Sequence, residues 1–327
     1  MSNPFPQPLD FPLALYRSRF RLSFTDACQF PCYPGSAIRG LIGHGLRALL
    51  CVTGQKSCEG CQLRKRCGYS RFFDSPGQVQ WEGRQVSAAP HPWVLDCDSP
   101  PAESRRTLRS YDFCLTLIDD DGTALFWLFH ALRKAGRLGL GRQKASFRVD
   151  GVWLETALGS QQWLEWEDKN HAKLQGKTKQ TVDLRDCNQL DFNKKLRIDF
   201  QTPVRIKRHG RLVGPREFSA RLVLQALQWR FRDLLALYGL PGGGVKLPDI
   251  PEHVDKFLVQ ADLDWLDWTR YSSRQGTRMK LGGVVGSCQL DVADQPEWWP
   301  LLWLGQWLHI GKQTSFGLGK YRLETLA

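Results

Sequence analysis

Apolar and polar residues alternate over residues 13–25, LALYRSRFRLSFT, a pattern typical of a strand with one buried face. Pro34-Gly35-Ser36 then opens a helix over residues 37–50, whose apolar residues recur at helical spacing. The same reasoning predicts, in chain order, strands at residues 91–97 and 107–118, a helix at residues 124–136 and a strand at residues 144–154.

The order of elements repeats after a polar stretch at residues 156–193, which we interpret as a connection between domains. The second half predicts a strand at 194–208, a helix at 216–239, two strands within 264–292, a helix at 297–310 and a last strand at 321–326. Both halves place a GLG turn and a basic residue before the final strand, as Gly139-Leu140-Gly141-Arg142 and Gly317-Leu318-Gly319-Lys320.

The pattern strand, helix, two strands, helix, strand describes a ferredoxin-like domain. The sequence therefore predicts an α+β chain of two tandem ferredoxin-like (RRM-like) domains. We expect the first domain at residues 1–155, the connection at 156–193 and the second domain at 194–327.

The chain of 327 residues is basic, with 45 Lys and Arg against 33 Asp and Glu, a net charge of +12. Split at residue 155, both parts carry the same excess of basic residues, which indicates an anionic partner, most often nucleic acid. No apolar run approaches the roughly 20 residues that span a bilayer. The first residues lack a basic region followed by an apolar one, so we expect a cytoplasmic protein rather than a membrane or secreted one.

Four of the ten cysteines cluster within an insertion at residues 51–70, as Cys51, Cys58, Cys61 and Cys67. Thiolates at short spacing suit a tetrahedral metal site, because a C-x2-C loop places two sulfurs on one ion. Zinc is the first choice, and an iron–sulfur cluster stays open as the alternative. Since no Asp, Glu or His at catalytic-metal spacing accompanies the cluster, we predict a structural site that pins the insertion.

Basic and glycine-rich segments predict where an anion binds. Nine basic residues fall between Lys194 and Arg221, and the interleaved Trp268 and Tyr271 are suited to stacking on bases. Glycine-rich turns expose backbone N–H groups that cradle phosphate. The residues expected to bind nucleic acid are Arg39, Arg142, Lys144, Lys207, Arg208, Arg270, Tyr271, Arg274, Arg278, Lys280, Gly311, Gly317, Gly319 and Lys320.

Three segments are the most informative: TPVRIKRHGRLVGPREFSARLVLQALQWRFRDLLALYG (202–239), WTRYSSRQGTRMKLGGVVG (268–286) and LGQWLHIGKQTSFGLGKYRLE (304–324). They resemble the CRISPR repeat endoribonucleases, the precursor-crRNA processing enzymes of the RAMP superfamily. The stretch AIRGLIGHGLRALLC (37–51), followed by clustered cysteines, resembles one branch of the family.

The resemblance implies a metal-independent endoribonuclease that cuts CRISPR repeat RNA and leaves a 2′,3′-cyclic phosphate. RNA and other CRISPR effector subunits are the implied partners. Because a basic surface does not distinguish substrate from product, we expect the product to be retained. Two alternatives stay open: a non-catalytic RAMP subunit that binds guide RNA in an effector complex, and a zinc protein whose cysteine insertion docks a protein.

Metal-free RNA cleavage needs a base for the 2′-hydroxyl, an acid for the leaving 5′-oxygen and a cation for the phosphorane. Histidine performs either proton transfer near neutral pH. Of the seven histidines, five have other interpretations. His91 lies between prolines, His130 in an apolar helix and His171 in the connection. His209 lies in a basic turn, and His253 lies in a proline-flanked loop.

His44 and His309 remain as the candidate catalytic histidines. His44 lies on the first helix, where members of the resembled family often place a catalytic residue, although Gly43 stands where some of them have Tyr. His309 directly precedes the second glycine-rich loop. Tyr33, at the entrance of the helix, is a weaker candidate partner, and Lys312 is the candidate that stabilises charge.

Overall fold

The computed structural model describes residues 13–30, 33–74, 79–81, 84–86, 89–97, 107–118, 122–141, 143–156, 161–164, 182, 195–239, 246–272 and 277–326. Their contacts divide them into two compact units. The N-terminal unit is drawn from residues 14–181 and 236–238, and the C-terminal unit from residues 182–235 and 239–327 together with residues 1–13. Among the described residues, no helix is both long enough and apolar enough to cross a membrane.

The N-terminal unit is built on one antiparallel sheet. Its elements are β1 (Leu15–Gln29), α1 (Pro34–Leu50), α2 (Gly68–Phe72), β2 (Val79–Trp81), β3 (Arg84–Val86), β4 (Trp93–Cys97), β5 (Thr107–Ile118), α3 (Thr123–Gly136), β6 (Phe147–Glu155) and β7 (Gln161–Leu164). The strand order is β4-β5-β1-β6-β7, and β2 and β3 form a separate hairpin. Strands β4, β5, β1 and β6 of this sheet, with α1 and α3 as the connecting helices, have the ferredoxin-like topology.

Strand β1 shows why this sheet forms. Phe20, Leu22 and Phe24 alternate along it and are buried in the core, because successive side chains of a strand point to opposite faces. Ile38 and Ile42 of α1 pack into the same core. The sheet and its helices therefore share one apolar layer.

The residues that alternate with this core carry a network of charges. Arg17 lies 2.7 Å from both Asp96 of β4 and Glu155 of β6, and Arg19 lies 2.6 Å from Glu155. Burial raises the pKa of Glu155, but the hydrogen bond from Arg19 and the charge of Arg17 outweigh burial, so the pKa of this carboxyl lies below its ordinary value. The pairs link β1, β4 and β6.

Helix α1 packs very closely on two neighbours. A Cβ atom on Gly45 would lie 2.2 Å from the carbonyl oxygen of Ala131 in α3, and one on Gly43 would lie 2.4 Å from the Phe73 ring. By contrast, a Cβ atom on Gly40 would meet nothing within 4 Å. The glycines on either side of His44 therefore allow α1 to touch its neighbours directly.

The C-terminal unit repeats the topology. Its elements are β8 (Leu196–Val204), β9 (Lys207–Arg208), β10 (Arg211–Leu212), α4 (Ala220–Tyr238), β11 (Leu258–Leu266), β12 (Thr269–Ser272), β13 (Thr277–Lys280), β14 (Gly283–Leu290), α5 (Trp299–Leu308) and β15 (Tyr321–Thr325). The main sheet has the order β11-β14-β8-β15, and two hairpins, β9-β10 and β12-β13, extend from it.

The core of this unit lies between its sheet and helices. Ile198 and Phe200 of β8 are buried, as are Leu227 and Phe231 of α4 and Trp299 of α5. The Ser219 side chain caps the N-terminus of α4 by accepting a hydrogen bond from the amide of Leu222. Serine is one of the favoured residues at this position.

The structure confirms the predicted fold class, with two tandem ferredoxin-like domains. Each predicted helix and strand has a counterpart, with ends displaced by a few residues. Where two strands were expected within 264–292, the structure has β12, β13, β14 and the end of β11. The sequence analysis also missed α2, β7 and the hairpins β2-β3 and β9-β10, because elements of two to five residues carry too little periodicity to be seen. Apart from β7 and residue 182, the connection at 157–193 lies outside the described residues. The predicted domain boundaries stay a prediction.

We predict that Gly45→Ala destabilises the protein, whereas Gly40→Ala stabilises it. Crowding of α1 against Ala131 costs about 1–3 kcal/mol, while alanine gains up to about 1 kcal/mol of helix propensity at either position. Chemical denaturation should therefore show a lower free energy of unfolding for the first variant and a higher one for the second. Equal gains in both variants would contradict the close contact between α1 and α3.

Candidate functional site

His44 lies on the solvent-facing side of α1. Its side chain is exposed, while Gly43 and Gly45 on either side of it are buried. Gly40, one turn earlier, has open space where a side chain would be. The helix surface on the Gly40 side of the imidazole therefore carries no side chain at that position.

Tyr33 does not share a site with His44. It is the N-cap residue of α1 and only 8% exposed. Eleven residues at a helical rise of about 1.5 Å per residue separate the two by roughly 16 Å along the axis. Tyr33 is thus placed at the start of the helix and His44 near its other end.

Arg39 belongs to a stacked cluster rather than to an isolated basic patch. Its guanidinium carbon lies 4.4 Å from the centre of the Phe73 ring, and its Nη2 lies 3.2 Å from Nε2 of His91. The rings of His91 and Trp93 stack with centroids 5.5 Å apart. The cation–π contact holds Arg39 against the helix surface, and its predicted contact with RNA stays a prediction.

The second glycine-rich loop packs on the end of β8. A Cβ atom on Gly319 would lie 1.9 Å from the carbonyl oxygen of Ile310, and one on Gly311 would lie 2.6 Å from that of Arg205. Both glycines also have positive φ, 77° and 81°. Gly317 and Gly319 are buried, and the close approaches at Gly319 and Gly311 bring the loop onto its own backbone and onto the residue that follows β8.

A single buried hydroxyl joins the loop to β8. The Thr202 hydroxyl donates to the carbonyl of Gly317 and accepts from the amide of Lys320, both at 2.8 Å. The amides of Gly319 and Lys312 donate to the carbonyls of Pro203 and Arg205, at 3.0 and 2.9 Å. The end of β8 thus holds the loop from both sides.

His309 supports the loop from inside. It is 1% exposed, has a φ of 56°, and its Nδ1 lies 3.2 Å from the carbonyl oxygen of Leu318. Arg230 of α4 donates through Nε to the carbonyl of Leu308, at 3.2 Å. These bonds position the end of α5 and the start of the loop, whereas a scissile phosphate would have to reach His309 through a covered surface.

The outer part of the loop presents groups suited to an anion. Lys312 is exposed, and Gln313 adopts the left-handed conformation with a φ of 66°. Within the described part of the chain, the amides of Gln313 and Thr314 have no acceptor, and the buried Oε1 of Gln313 has no partner. Successive amides around a left-handed residue form the concave nest that binds phosphate.

A basic hairpin follows directly from the strand that holds this loop. Lys207, Arg208 and Arg211 are exposed on β9 and β10, around a turn at His209 and Gly210. The guanidinium of Arg205, between β8 and the hairpin, donates to the carbonyl of Gly282. We define the basic surface as Lys207, Arg208, Arg211 and Lys312.

The other predicted RNA contacts are more dispersed. Lys144 is exposed at the first GLG turn, a hairpin closed by the pairing of Leu140 with Ala145. Lys280 is exposed with its Nζ 4.0 Å from Asp267, and Lys320 is half-buried beside the loop. Arg270 and Tyr271 lie on β12 and Arg278 on β13. Arg142 and Arg274 lie outside the described residues.

The four clustered cysteines lie between α1 and α2 and line one small cavity. Across the described residues, no three His, Cys, Asp or Glu side chains are placed so that they could hold a metal ion. The structure therefore does not display the expected metal centre, and zinc or an iron–sulfur cluster at these residues stays a prediction.

Sequence reasoning missed Thr202, Arg205, Arg230 and Gln313. No pattern marks them, since a threonine in a strand and an arginine on an amphipathic helix are ordinary residues there. Their roles depend on which carbonyl or amide the fold places opposite them.

Comparisons with known proteins find matching family models for both parts of the chain. Residues 198–321 match the family model of the CRISPR-associated endoribonuclease Cas6, and residues 11–177 match a family model described as an N-terminal domain. No curated protein matches the chain.

Solved structures show the same fold. A product complex of a Thermus thermophilus Cas6 gives a TM-score of 0.55 at 17% identity, covering 95% of this chain and 100% of that chain. A second structure of that Cas6 gives 0.51 at 14%, covering 95% and 99%. A partial Cas6-RT-Cas1–Cas2 complex gives 0.53 at 14%, covering 97% of this chain and 47% of that chain.

We predict that Thr202→Val loosens the glycine-rich loop. The substitution keeps the shape of the side chain but leaves the Gly317 carbonyl and the Lys320 amide without their partner, at a cost of about 1–3 kcal/mol. The free energy of unfolding should fall, and hydrogen exchange at Lys320 should accelerate. Thr202→Ser, which retains the hydroxyl, is the control, and equal exchange rates in all three proteins would contradict the role of this hydroxyl.

Proposed function

We propose that this chain, whose residues 198–321 match the family model of the CRISPR-associated endoribonuclease Cas6, is a RAMP-superfamily endoribonuclease that processes CRISPR repeat RNA. In this proposal it cuts the repeat without a catalytic metal, by attack of a 2′-hydroxyl on the adjacent phosphate. The products are a 2′,3′-cyclic phosphate and a 5′-hydroxyl, and the protein acts in the cytoplasm.

The exposed imidazole of His44, on a helix face left bare at Gly40, is the observation that carries this proposal. A histidine side chain can act as the base that takes the proton of the 2′-hydroxyl or as the acid that protonates the leaving 5′-oxygen. His309 is buried and hydrogen-bonded, and we assign it to positioning the loop. Tyr33 is too distant along α1 to act together with His44.

RNA binding is proposed for the C-terminal unit. The amides of Gln313 and Thr314 offer a phosphate cradle, and the basic surface supplies cations around it. We keep Lys312 as the cation that stabilises charge on the phosphorane.

Partners follow from the same premise. One structural neighbour is a Cas6 product complex, and another is a Cas6-RT-Cas1–Cas2 complex. We propose RNA as the direct partner of this chain, other CRISPR subunits as additional partners, and retention of the cut RNA on the basic surface. Retention agrees with the charge of that surface, which attracts product and substrate alike.

We predict that His44→Ala reduces cleavage at least about 100-fold, the lower range for loss of a general acid or base, while RNA affinity is unchanged. The assay uses labelled repeat RNA in EDTA, with a second RNA that carries a 2′-deoxy at the cut site. The wild-type protein should cut only the first RNA.

His253→Ala is the matched control for this assay, because His253 is also exposed but lies outside the proposed site. It should cut at the wild-type rate. Full activity of His44→Ala would contradict the assignment. Tight binding without any cleavage by the wild-type protein would instead support the non-catalytic, guide-holding subunit.

We predict that the double substitution Lys207→Gln, Arg208→Gln lowers the affinity for RNA and makes that affinity less sensitive to salt concentration. Loss of two phosphate contacts should reduce the slope of log affinity against log salt by about 1.4, at roughly 0.7 per contact with single-stranded RNA. Lys246→Gln, whose side chain is 85% exposed, is the control with an unchanged slope. An unchanged slope in the double variant would exclude the hairpin from the RNA contact.

A further inference from the structure

The segment from Cys51 to Cys67 has almost no core of its own. It contains turns and bends only, and most of its side chains are exposed, Val52 to 83%. Local backbone bonds, such as that from the Cys61 amide to the Cys58 carbonyl at 3.3 Å, are its main internal contacts. A segment with so little buried apolar surface needs a cross-link to hold one conformation.

Its four cysteines surround a single cavity of about 20 Å³. That volume suits one small ligand, since a single water needs about 10–15 Å³ on a comparable measure. The Thr53 hydroxyl oxygen lies 3.7 Å from the sulfur of Cys51 and 3.9 Å from that of Cys61, so these sulfurs face the same point. Side chains from four separated positions thus converge on a space the size of an ion.

In this structure the four sulfurs are not close enough together to coordinate one ion, since no three potential ligands among the described residues are placed to hold a metal. All four cysteines are free thiols. A cysteine sulfur moves between three staggered positions by rotation about χ1 alone. Closure on an ion therefore requires side-chain rotation about the cavity that the four cysteines already line.

The charge around the cavity matches what closure would create. Four thiolates on a divalent ion carry a net charge of −2, after each thiol has released its proton to solvent. The segment holds Lys56, Arg64, Lys65 and Arg66 against the single acid Glu59, and Asp74, beyond the segment, hydrogen-bonds the Cys58 thiol. Arg64 lines the cavity, and its Nε is buried with no hydrogen-bond partner among the described residues.

We propose that Cys51, Cys58, Cys61 and Cys67 bind one thiophilic divalent cation of the zinc class, with the half-buried Arg64 as the cation that compensates the tetrathiolate. The four sulfurs complete a closed, structural coordination shell, so the ion has no position for substrate. The Arg47 guanidinium on α1 donates to the carbonyl of Gln55 and links this segment to the helix that carries His44. The ion stabilises that end of α1.

The test measures metal in the full-length protein and does not depend on cleavage. Apo protein is reconstituted with Zn²⁺, desalted and analysed by inductively coupled plasma mass spectrometry; we expect about one zinc per chain, as for a site of four cysteine ligands. Cys58→Ser, Cys61→Ser should retain none. Cys288→Ala, which removes a buried cysteine of the C-terminal unit, is the control and should retain zinc.

Titration with Co²⁺ reports the ligands independently of stability. The wild-type protein should show thiolate-to-cobalt charge transfer and tetrahedral ligand-field bands, and circular dichroism of the double serine variant checks that its fold is retained. Wild-type protein without bound zinc and without these bands would overturn the site. Iron with labile sulfide at the same cysteines would overturn the zinc class. Either result leaves the proposed cleavage by His44 standing.

The role of Arg64 has its own measurement. Arg64→Gln should keep the zinc stoichiometry but weaken zinc affinity in a chelator competition by roughly 10-fold or more, the effect typical of groups around the ligands. Lys65→Gln, an exposed neighbour, should change it little. Equal affinities in the two variants would remove Arg64 from the site.

Discussion

Direct contact between backbone segments, with no side chain between them, is the constraint on which both functional regions depend. In the N-terminal unit, Gly45 brings α1 onto the Ala131 carbonyl of α3. In the C-terminal unit, Gly319 and Gly311 bring the glycine-rich loop onto itself and onto the end of β8. Any Cβ atom at these positions would push the segments apart, so the helix of His44 and the loop of Lys312 keep their places through glycine.

This constraint separates residues that hold the site from residues that face solvent. Thr202, His309 and the buried glycines satisfy the polar groups of the loop from below. Lys312 and the outer amides are left for an anion, as His44 is left on the open face of its helix. Pre-organised binding requires this arrangement, in which buried residues fix the loop and exposed residues remain available to the ligand.

The sequence predicted the elements well where the physical signal is long. The alternation along β1 and the apolar spacing of α1 and α4 follow from burial of one face, and each extends over ten or more residues. The candidate site was harder to predict. Tyr33 and His44 were both candidates on the first helix, but they lie near opposite ends of α1. The stacking of Arg39 on Phe73 joins residues 34 positions apart in the chain, which no local pattern predicts. Burial of His309 was equally invisible, because a histidine before a glycine-rich turn suits a binding residue and a buried one alike.

The sequence by itself determined the repeated ferredoxin-like order, the basic character, the histidine on α1 and the clustering of four cysteines, because periodicity, composition and spacing are local properties of the chain. Only the tertiary structure decided that His44 is exposed and His309 buried, that Thr202 ties the loop to β8, and that four cysteines and Arg64 surround one cavity. These are contacts between segments distant in the chain, and they depend on how closely backbones approach, which hydrophobic pattern does not encode.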